Sequence, residues 1–229
     1  MNAKISEIFT SLQGEGKYPG VLQVFIRFFG CQLNCVWCDT PQARDPAQGK
    51  FQEMEGDSLL RAVLDVDEII HSVSLTGGEP LLQRDFLKGF LPRLKQAGRR
   101  TYLDTNGIEV EALKDVIPWI DIVAADIKLP SSCGGQPLWT QHAQFLQMAA
   151  DKDCFVKAVI TLDTTQQDMA QGVDVIKNVD TDMTLILQPE VGQLDDRLIE
   201  RCREFQSYCL QTLTDVRIVP QMHKLLGIR

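Results

Sequence analysis

The 229 residues carry 44% apolar and 24% charged side chains, the balance of an ordinary globular domain and too rich in core formers for a disordered chain. The formal charge of −8, with no basic run beyond "GRR" at Gly98–Arg100, speaks against a nucleic-acid binder and for a small-molecule substrate. The opening "MNAKISEIF" has neither the basic nor the apolar region of a secretory signal, and no apolar run is long enough to span a bilayer. A cytoplasmic location is therefore expected, with the seven cysteines as thiols or metal ligands and not as disulfides.

In chain order the apolar periodicity predicts a strand at Gln23–Phe29 and then a helix at Asp57–Ile70, opened by "DSLL", where Asp57 or Ser58 can cap. A strand at Ser72–Thr76 and a helix at Arg84–Gln96 follow, then strands at Thr101–Asp104 and Ile120–Asp126. The remainder alternates: helix Leu138–Ala150, strand Phe155–Thr161, helix Thr165–Asn178, strand Thr184–Leu187, helix Asp195–Leu213, strand Val216–Val219. Such alternation is the pattern of a parallel sheet covered by helices. A closed eightfold barrel needs about 250 residues, so the expected fold is α/β, an incomplete (β/α) barrel of about six parallel strands, in a single domain spanning residues 1–229. The loop "LPSSCGGQP", Leu129–Pro137, is expected at the C-terminal mouth of the sheet, where active sites of such folds lie.

The stretch "GCQLNCVWCDT", Gly30–Thr40, follows the first predicted strand and sets Cys31, Cys35 and Cys38 in one loop. Three thiolates on a cubane iron–sulfur cluster leave one iron without a protein ligand, unlike the four of an electron-transfer ferredoxin, and an open metal position is one that binds something else. The C-x3-C-x2-C spacing resembles that of the radical S-adenosylmethionine (SAM) superfamily. There the amino and carboxylate groups of SAM complete the open iron. A zinc site with Cys133, Cys154 or Asp39 as fourth ligand is the alternative; otherwise Cys133, Cys154, Cys202 and Cys209 read as structural.

"LTGGEP" at Leu75–Pro80 resembles the superfamily's GGE element, which implies that Gly77, Gly78 and Glu79 hold the SAM amino group. "LDTNG" at Leu103–Gly107 and "ADIK" at Ala125–Lys128 repeat a pattern of polar residues at strand ends. Thr105, Asn106, Asp126 and Lys128 can there meet ribose hydroxyls and the methionine carboxylate, although Asp104 or Asp126 could equally cap a helix.

Five segments together resemble the 7-carboxy-7-deazaguanine synthase family nearly end to end: "EIFTSLQGEG" (Glu7–Gly16), "FIRFFGC" (Phe25–Cys31), "CDT" (Cys38–Thr40), "ILQPE" (Ile186–Glu190) and "PQMHKLLGIR" (Pro220–Arg229). The resemblance implies conversion of 6-carboxy-5,6,7,8-tetrahydropterin to 7-carboxy-7-deazaguanine with loss of ammonia, a step of queuosine and 7-deazapurine biosynthesis. It also implies a [4Fe–4S] cluster, SAM, Mg²⁺, a homodimer, and flavodoxin or ferredoxin as electron donor. Carried over residue by residue, SAM falls to Trp37, Asp39, Gly77, Gly78, Glu79, Thr105, Asn106, Asp126, Lys128 and Gln188, and Mg²⁺ to Thr40. Substrate falls to Leu12, Gln13, Gly14, Glu15, Arg27, Thr76 and His223. Arg27 supplies a planar bidentate donor for the substrate carboxylate.

The chain departs from the family pattern at Met222, where a small hydroxyl residue is usual, and at Asp104 and Ile108, where "DTNGI" replaces "ETNGT". Two rivals are a glycyl-radical-enzyme activase, which leaves "LQGEG" and the C-terminal "HK" without a purpose, and a zinc-binding interaction module.

Overall fold

The computed structural model describes residues 1–228. Nine strands form one sheet: β1 (Asn2–Leu12), β2 (Leu22–Phe28), β3 (Gln52–Glu55), β4 (Ser72–Gly77), β5 (Thr101–Thr105), β6 (Ile122–Asp126), β7 (Asp153–Ile160), β8 (Leu185–Pro189) and β9 (Val216–Ile218). Their order is β3-β1-β2-β4-β5-β6-β7-β8-β9. From β2 onward, β4 to β9 included, neighbours run parallel, seven strands where about six were expected. Because β3 and β9 are the two ends of the order, the barrel is open.

All seven predicted strands belong to this parallel set; the two the pattern missed, β1 and β3, pair antiparallel with their neighbours. Polar residues fill most of "NAKISEIFTSL", and only Ala3 and Ile5 are buried, so β1 gives no apolar run to detect.

Helices α1 (Gly56–Leu64), α2 (Arg84–Gln96), α3 (Val110–Val116), α4 (Pro130–Cys133), α5 (Trp139–Ala149), α6 (Gln166–Lys177), α7 (Asp196–Cys209) and α8 (Met222–Leu226) complete the chain. α1 ends six residues before the predicted Ile70, closing at Asp65, whose N–H donates to Arg61 O; beyond it Ile69 is 97% exposed. α7 stops at Cys209, and Leu213 reaches the core from the turn after it.

Strand periodicity explains how the sheet serves two purposes. Outward-facing residues such as Leu75, Leu103, Val123, Val156 and Leu187 form the main core with the helices. On the inner face Tyr102, Ile122, Ala124, Phe155 and Ile186 make a second, smaller core. Two residues further along four of these strands, on the same face, the chemistry changes from apolar to polar. Tyr102 gives way to Asp104, Ala124 to Asp126, Phe155 to Lys157 and Ile186 to Gln188, all four lining one cavity. The aromatic floor and the polar site above it are thus consecutive steps of the same pleat.

Candidate active site

The cavity, about 430 Å³, opens at the C-terminal ends of the parallel strands. Its rim begins with the loop after β2. There Gly78 N donates to Phe28 O at 3.1 Å and Glu79 N to Gly30 O at 2.7 Å, so the loop after β4 lies directly on the cysteine loop. A Cβ on Gly77 would stand 2.2 Å from Phe28 O and one on Gly78 2.2 Å from Gly30 O, which is why this pair must be glycine.

Cys31, Cys35 and Cys38 all line the cavity and none is in a disulfide. The loop folds on itself: Leu33 N donates to Cys31 Sγ at 3.4 Å and Cys38 N to Cys35 O at 3.2 Å. Three thiols in one loop at a cavity wall suit a cluster with one iron left open. Cys154, a rival fourth ligand, pairs with Val123 near the start of β7, away from the strand ends that carry the cavity, and does not line it. Burial pushes its thiol up to about 12. Cys133, by contrast, sits beside the loop, its backbone O accepting from Val36 N at 3.1 Å.

The wall facing the cysteines suits SAM. Asn106 Oδ1, Asp126 Oδ1 and Gln188 Oε1 are buried and accept nothing within the protein, yet all three residues line the cavity. Buried acceptors ordinarily have partners; SAM offers an ammonium and two ribose hydroxyls as donors. Lys128 pairs with Asp126 at 2.8 Å and lies 4.6 Å from the Trp37 ring centroid, while Trp37 Nε1 donates to Ser132 Oγ at 3.0 Å. Burial works against the Lys128 ammonium, but Asp126 outweighs it and the pKa rises.

A further acidic and cationic group closes the far side. Lys157, on β7, contacts Glu15 at 2.5 Å, Asp126 at 3.6 Å and Asp104 at 3.9 Å. Burial by itself would raise the Glu15 carboxyl, but the Lys157 charge and a hydrogen bond from Gln221 bring it down to about 2. Burial raises Asp104 despite the same lysine. Gln221 Nε2 also reaches Asp39 Oδ2 at 3.2 Å, and Glu15, Asp39 and His223 each bring one ligand atom within 4.8 Å of the others. Thr40 lines the cavity beside them. It precedes a 3-10 turn at Pro41–Ala43, but its side chain makes no cap bond, so the hydroxyl is not spent as a helix cap. Arg27 faces the same space, 3.3 Å from Glu7 and over the Phe9 ring at 5.6 Å.

Of the residues expected at the site, Gln13, Gly14, Glu15, Arg27, Trp37, Asp39, Thr40, Thr76, Gly77, Gly78, Thr105, Asn106, Asp126, Lys128, Gln188, His223 and the three cysteines line this one cavity. Leu12 and Glu79 do not. Leu12 lines a smaller neighbouring cavity with Pro19, Val219 and Met222. Glu79 is 0% exposed, accepting from Leu81 N at 3.0 Å, Asn106 N at 2.8 Å and Thr105 Oγ1 at 2.9 Å. In this structure it braces the loops after β4 and β5. Met222 meets the site through its backbone, N donating to Gly14 O at 2.8 Å, so its unusual side chain leaves the donor set unchanged.

Burial raises the Glu79 carboxyl from 4.5 to about 7, against three hydrogen bonds that favour the ion. The folded protein then holds this proton more tightly than the unfolded chain, so the stabilisation is full below pH 4.5 and lost as pH rises through about 7. Glu79→Gln keeps an acceptor but no charge. Its melting temperature relative to wild type should rise between pH 5 and pH 8; a difference independent of pH would show that Glu79 does not titrate in this window.

Sequence reasoning passed over Lys157 and His142. A lysine inside "FVKAVI" is the one charge in an otherwise apolar run, a signal that was available. His142, on α5, is 1% exposed; Nδ1 lies 3.1 Å from Gly107 O, and Nε2 accepts from Lys128 N at 3.2 Å. Burial lowers it to about 4, which keeps it neutral with the proton on Nδ1, tying together the loops that carry Asn106 and Lys128. No periodicity betrays that role.

Comparison with known proteins agrees with this chemistry. Residues 25–169 match the Radical SAM superfamily. A 7-carboxy-7-deazaguanine synthase of Geobacter sulfurreducens is 37% identical across 98% of this chain and 97% of the relative. One of Methanothermobacter thermautotrophicus is 32% identical across 100% of this chain and 99% of its own. Among solved structures, QueE from Escherichia coli shares the fold with a TM-score of 0.68 at 20% identity, covering 97% of this chain and 95% of its own.

Proposed function

The chain belongs to the 7-carboxy-7-deazaguanine synthase family of the radical SAM superfamily, and on that footing we propose how its residues divide the work. The enzyme converts 6-carboxy-5,6,7,8-tetrahydropterin to 7-carboxy-7-deazaguanine, releasing ammonia, in queuosine and 7-deazapurine biosynthesis. Cys31, Cys35 and Cys38 would hold the [4Fe–4S] cluster, which together with SAM would supply reductive SAM cleavage as the source of hydrogen abstraction.

The protein's own part is placement and exclusion of water. The observation that carries this reading is the set of three orphaned acceptors, Asn106 Oδ1, Asp126 Oδ1 and Gln188 Oε1, across the cavity that the three cysteines line. They receive the donors of SAM, with Thr105 beside them. Lys128 meets the methionine carboxylate, the backbone of Gly77 and Gly78 meets the amino group, and Trp37 and Asp39 flank the cofactor.

The substrate takes the remaining wall. Arg27 turns its guanidinium from Glu7 to the pterin carboxylate, a fork-to-fork contact. Glu15, kept ionised by Lys157, accepts from the N–H groups of the pyrimidine edge, with Gln13, Gly14, Thr76 and His223 around it. Thr40 would hold Mg²⁺ together with the substrate carboxylate and water, on the same cavity wall as Glu15, Asp39 and His223, whose ligand atoms lie within 4.8 Å of one another. The protein works as a homodimer in the cytoplasm, with a flavodoxin or ferredoxin as electron donor. The abundance of free thiols supports a reducing location, and no helix among the described residues is long and apolar enough to cross a membrane.

Thr40→Ala should raise the Mg²⁺ concentration needed for half-maximal turnover by roughly 10- to 100-fold, with the cluster spectrum unaltered. An unchanged Mg²⁺ dependence would remove Thr40 from the metal site and leave the cofactor assignment standing.

A further inference from the structure

The Gln13 carboxamide is held at both ends. Its Oε1 accepts from Glu15 N at 3.0 Å and its Nε2 donates to Gln23 Oε1 at 3.0 Å, while Gln23 Nε2 donates to Ser72 Oγ at 2.8 Å. Ser72 Oγ lies 3.0 Å from His71 Nδ1, and His71 Nε2 lies 3.0 Å from Arg100 Nη1. An arginine only donates, so Nε2 accepts, the imidazole proton sits on Nδ1, and Ser72 Oγ receives that proton as well as one from Gln23. The direction of every bond follows. With both lone pairs of Ser72 Oγ taken, Gln23 turns its nitrogen to Ser72 and its oxygen to Gln13, and Gln13 turns its nitrogen to Gln23 and its oxygen to Glu15.

Gln23 is 0% exposed and Ser72 1%. Gln23 shares the inner face of β2 with Phe25 and Arg27, which line the main cavity, but it lines neither that cavity nor the smaller one beside it. An apolar side chain would need no partner there. What the glutamine adds is orientation.

We propose that Gln23 is a positioning residue for the pterin: it sets which way the Gln13 carboxamide faces, and so which of its atoms meets a donor and which an acceptor on the pyrimidine edge. The proposal rests on the reading above that Gln13 and Glu15 take that edge. Beyond its bonds to Glu15 and Gln23, Gln13 keeps one amide hydrogen and one carbonyl lone pair, and it lines the cavity. A carboxamide turned by half a revolution would present these two in the wrong order. Gln23 opposes that turn, because Gln13 Oε1 would then face Gln23 Oε1, acceptor against acceptor. The bond from Glu15 N to Gln13 also closes the turn that carries the Glu15 carboxylate to Lys157 at 2.5 Å.

The test is equilibrium binding of 6-carboxy-5,6,7,8-tetrahydropterin, anaerobically and without reductant, to the reconstituted full-length protein with SAM and Mg²⁺. Gln23→Met keeps the length of the side chain but not the acceptor. Its Kd for the pterin should rise roughly 10-fold or more, the scale of one buried hydrogen bond. Its Kd for SAM, and its rate of SAM cleavage by a low-potential reductant without pterin, should stay at the wild-type values, which shows that the variant folds and loads its cluster. Ser72→Ala, which removes the acceptor that turns Gln23, should raise the pterin Kd severalfold, and it decides the matter if Gln23→Met does not load its cluster. Gln13→Ala should weaken pterin binding at least as much as Gln23→Met, and Gln13→Ala with Gln23→Met no further, because Gln23 acts through Gln13. Unchanged pterin binding in Gln23→Met would overturn the proposal. Equal weakening of pterin and SAM would do the same, as would single losses that add in the double variant. A failure of the substrate reading itself looks different: Gln13→Ala would then bind the pterin as well as wild type, and the proposal would fall with it.

Discussion

Cys38→Ala is expected to abolish SAM cleavage, by roughly 1000-fold or more, because the cofactor and not the protein carries the chemistry and two thiolates cannot hold a cubane cluster in place. The variant should purify anaerobically without the brown colour of the wild type and with iron and sulfide reduced together. Its fold should survive: Cys38 is only half-buried in a loop and lies outside both apolar cores. Cys133→Ala is the matched control. Cys133 lies off the cavity, and its removal should leave SAM cleavage near the wild-type level. The pair separates cluster ligand from neighbour. Colour and turnover lost in Cys133→Ala but kept in Cys38→Ala would reverse the ligand assignment.

Lys157→Met should cost about 3–5 kcal/mol of stability, the usual penalty for removing one partner of a buried ion pair. Glu15 at 2.5 Å, Asp126 at 3.6 Å and Asp104 at 3.9 Å would then lose their shared cation, and only Asp126 would keep another, Lys128 at 2.8 Å. The folded state relieves this by binding protons, so the loss should be largest at alkaline pH and shrink on acidification, where the variant's carboxyls become neutral. Turnover should fall as well, because Glu15 would no longer be held ionised at the substrate wall. Adding Glu15→Gln to Lys157→Met should recover part of the stability but none of the turnover, which a double-mutant cycle by denaturant titration would show. Equal losses for the single and double variants would mean that the lysine packs and does not pair.

Much of this site was legible in sequence because it is written at strand ends. The parallel strands were visible as apolar runs, and their polar last residues, Asp126 in "ADIK" and Gln188 in "LILQP", fall in one cavity because parallel strands end on the same side. β1 was not legible, since its partners and not its composition make it a strand. Leu12 and Glu79 are the two expected residues that do not line the cavity. Both sit inside the expected segments, but alternation turns Leu12 to the neighbouring cavity, and Glu79 closes the loop that presents Gly77 and Gly78. The role of Lys157 was hidden for another reason: it gains its meaning from a residue distant in sequence, Glu15, and only the fold brings them together.

The central claim is tested most directly by anaerobic turnover of the reconstituted enzyme with SAM, a low-potential reductant, Mg²⁺ and 6-carboxy-5,6,7,8-tetrahydropterin. The expected result is 7-carboxy-7-deazaguanine and ammonia in equal amounts, formed only when every component is present. Cleavage of SAM with no deazapurine formed would contradict the claim.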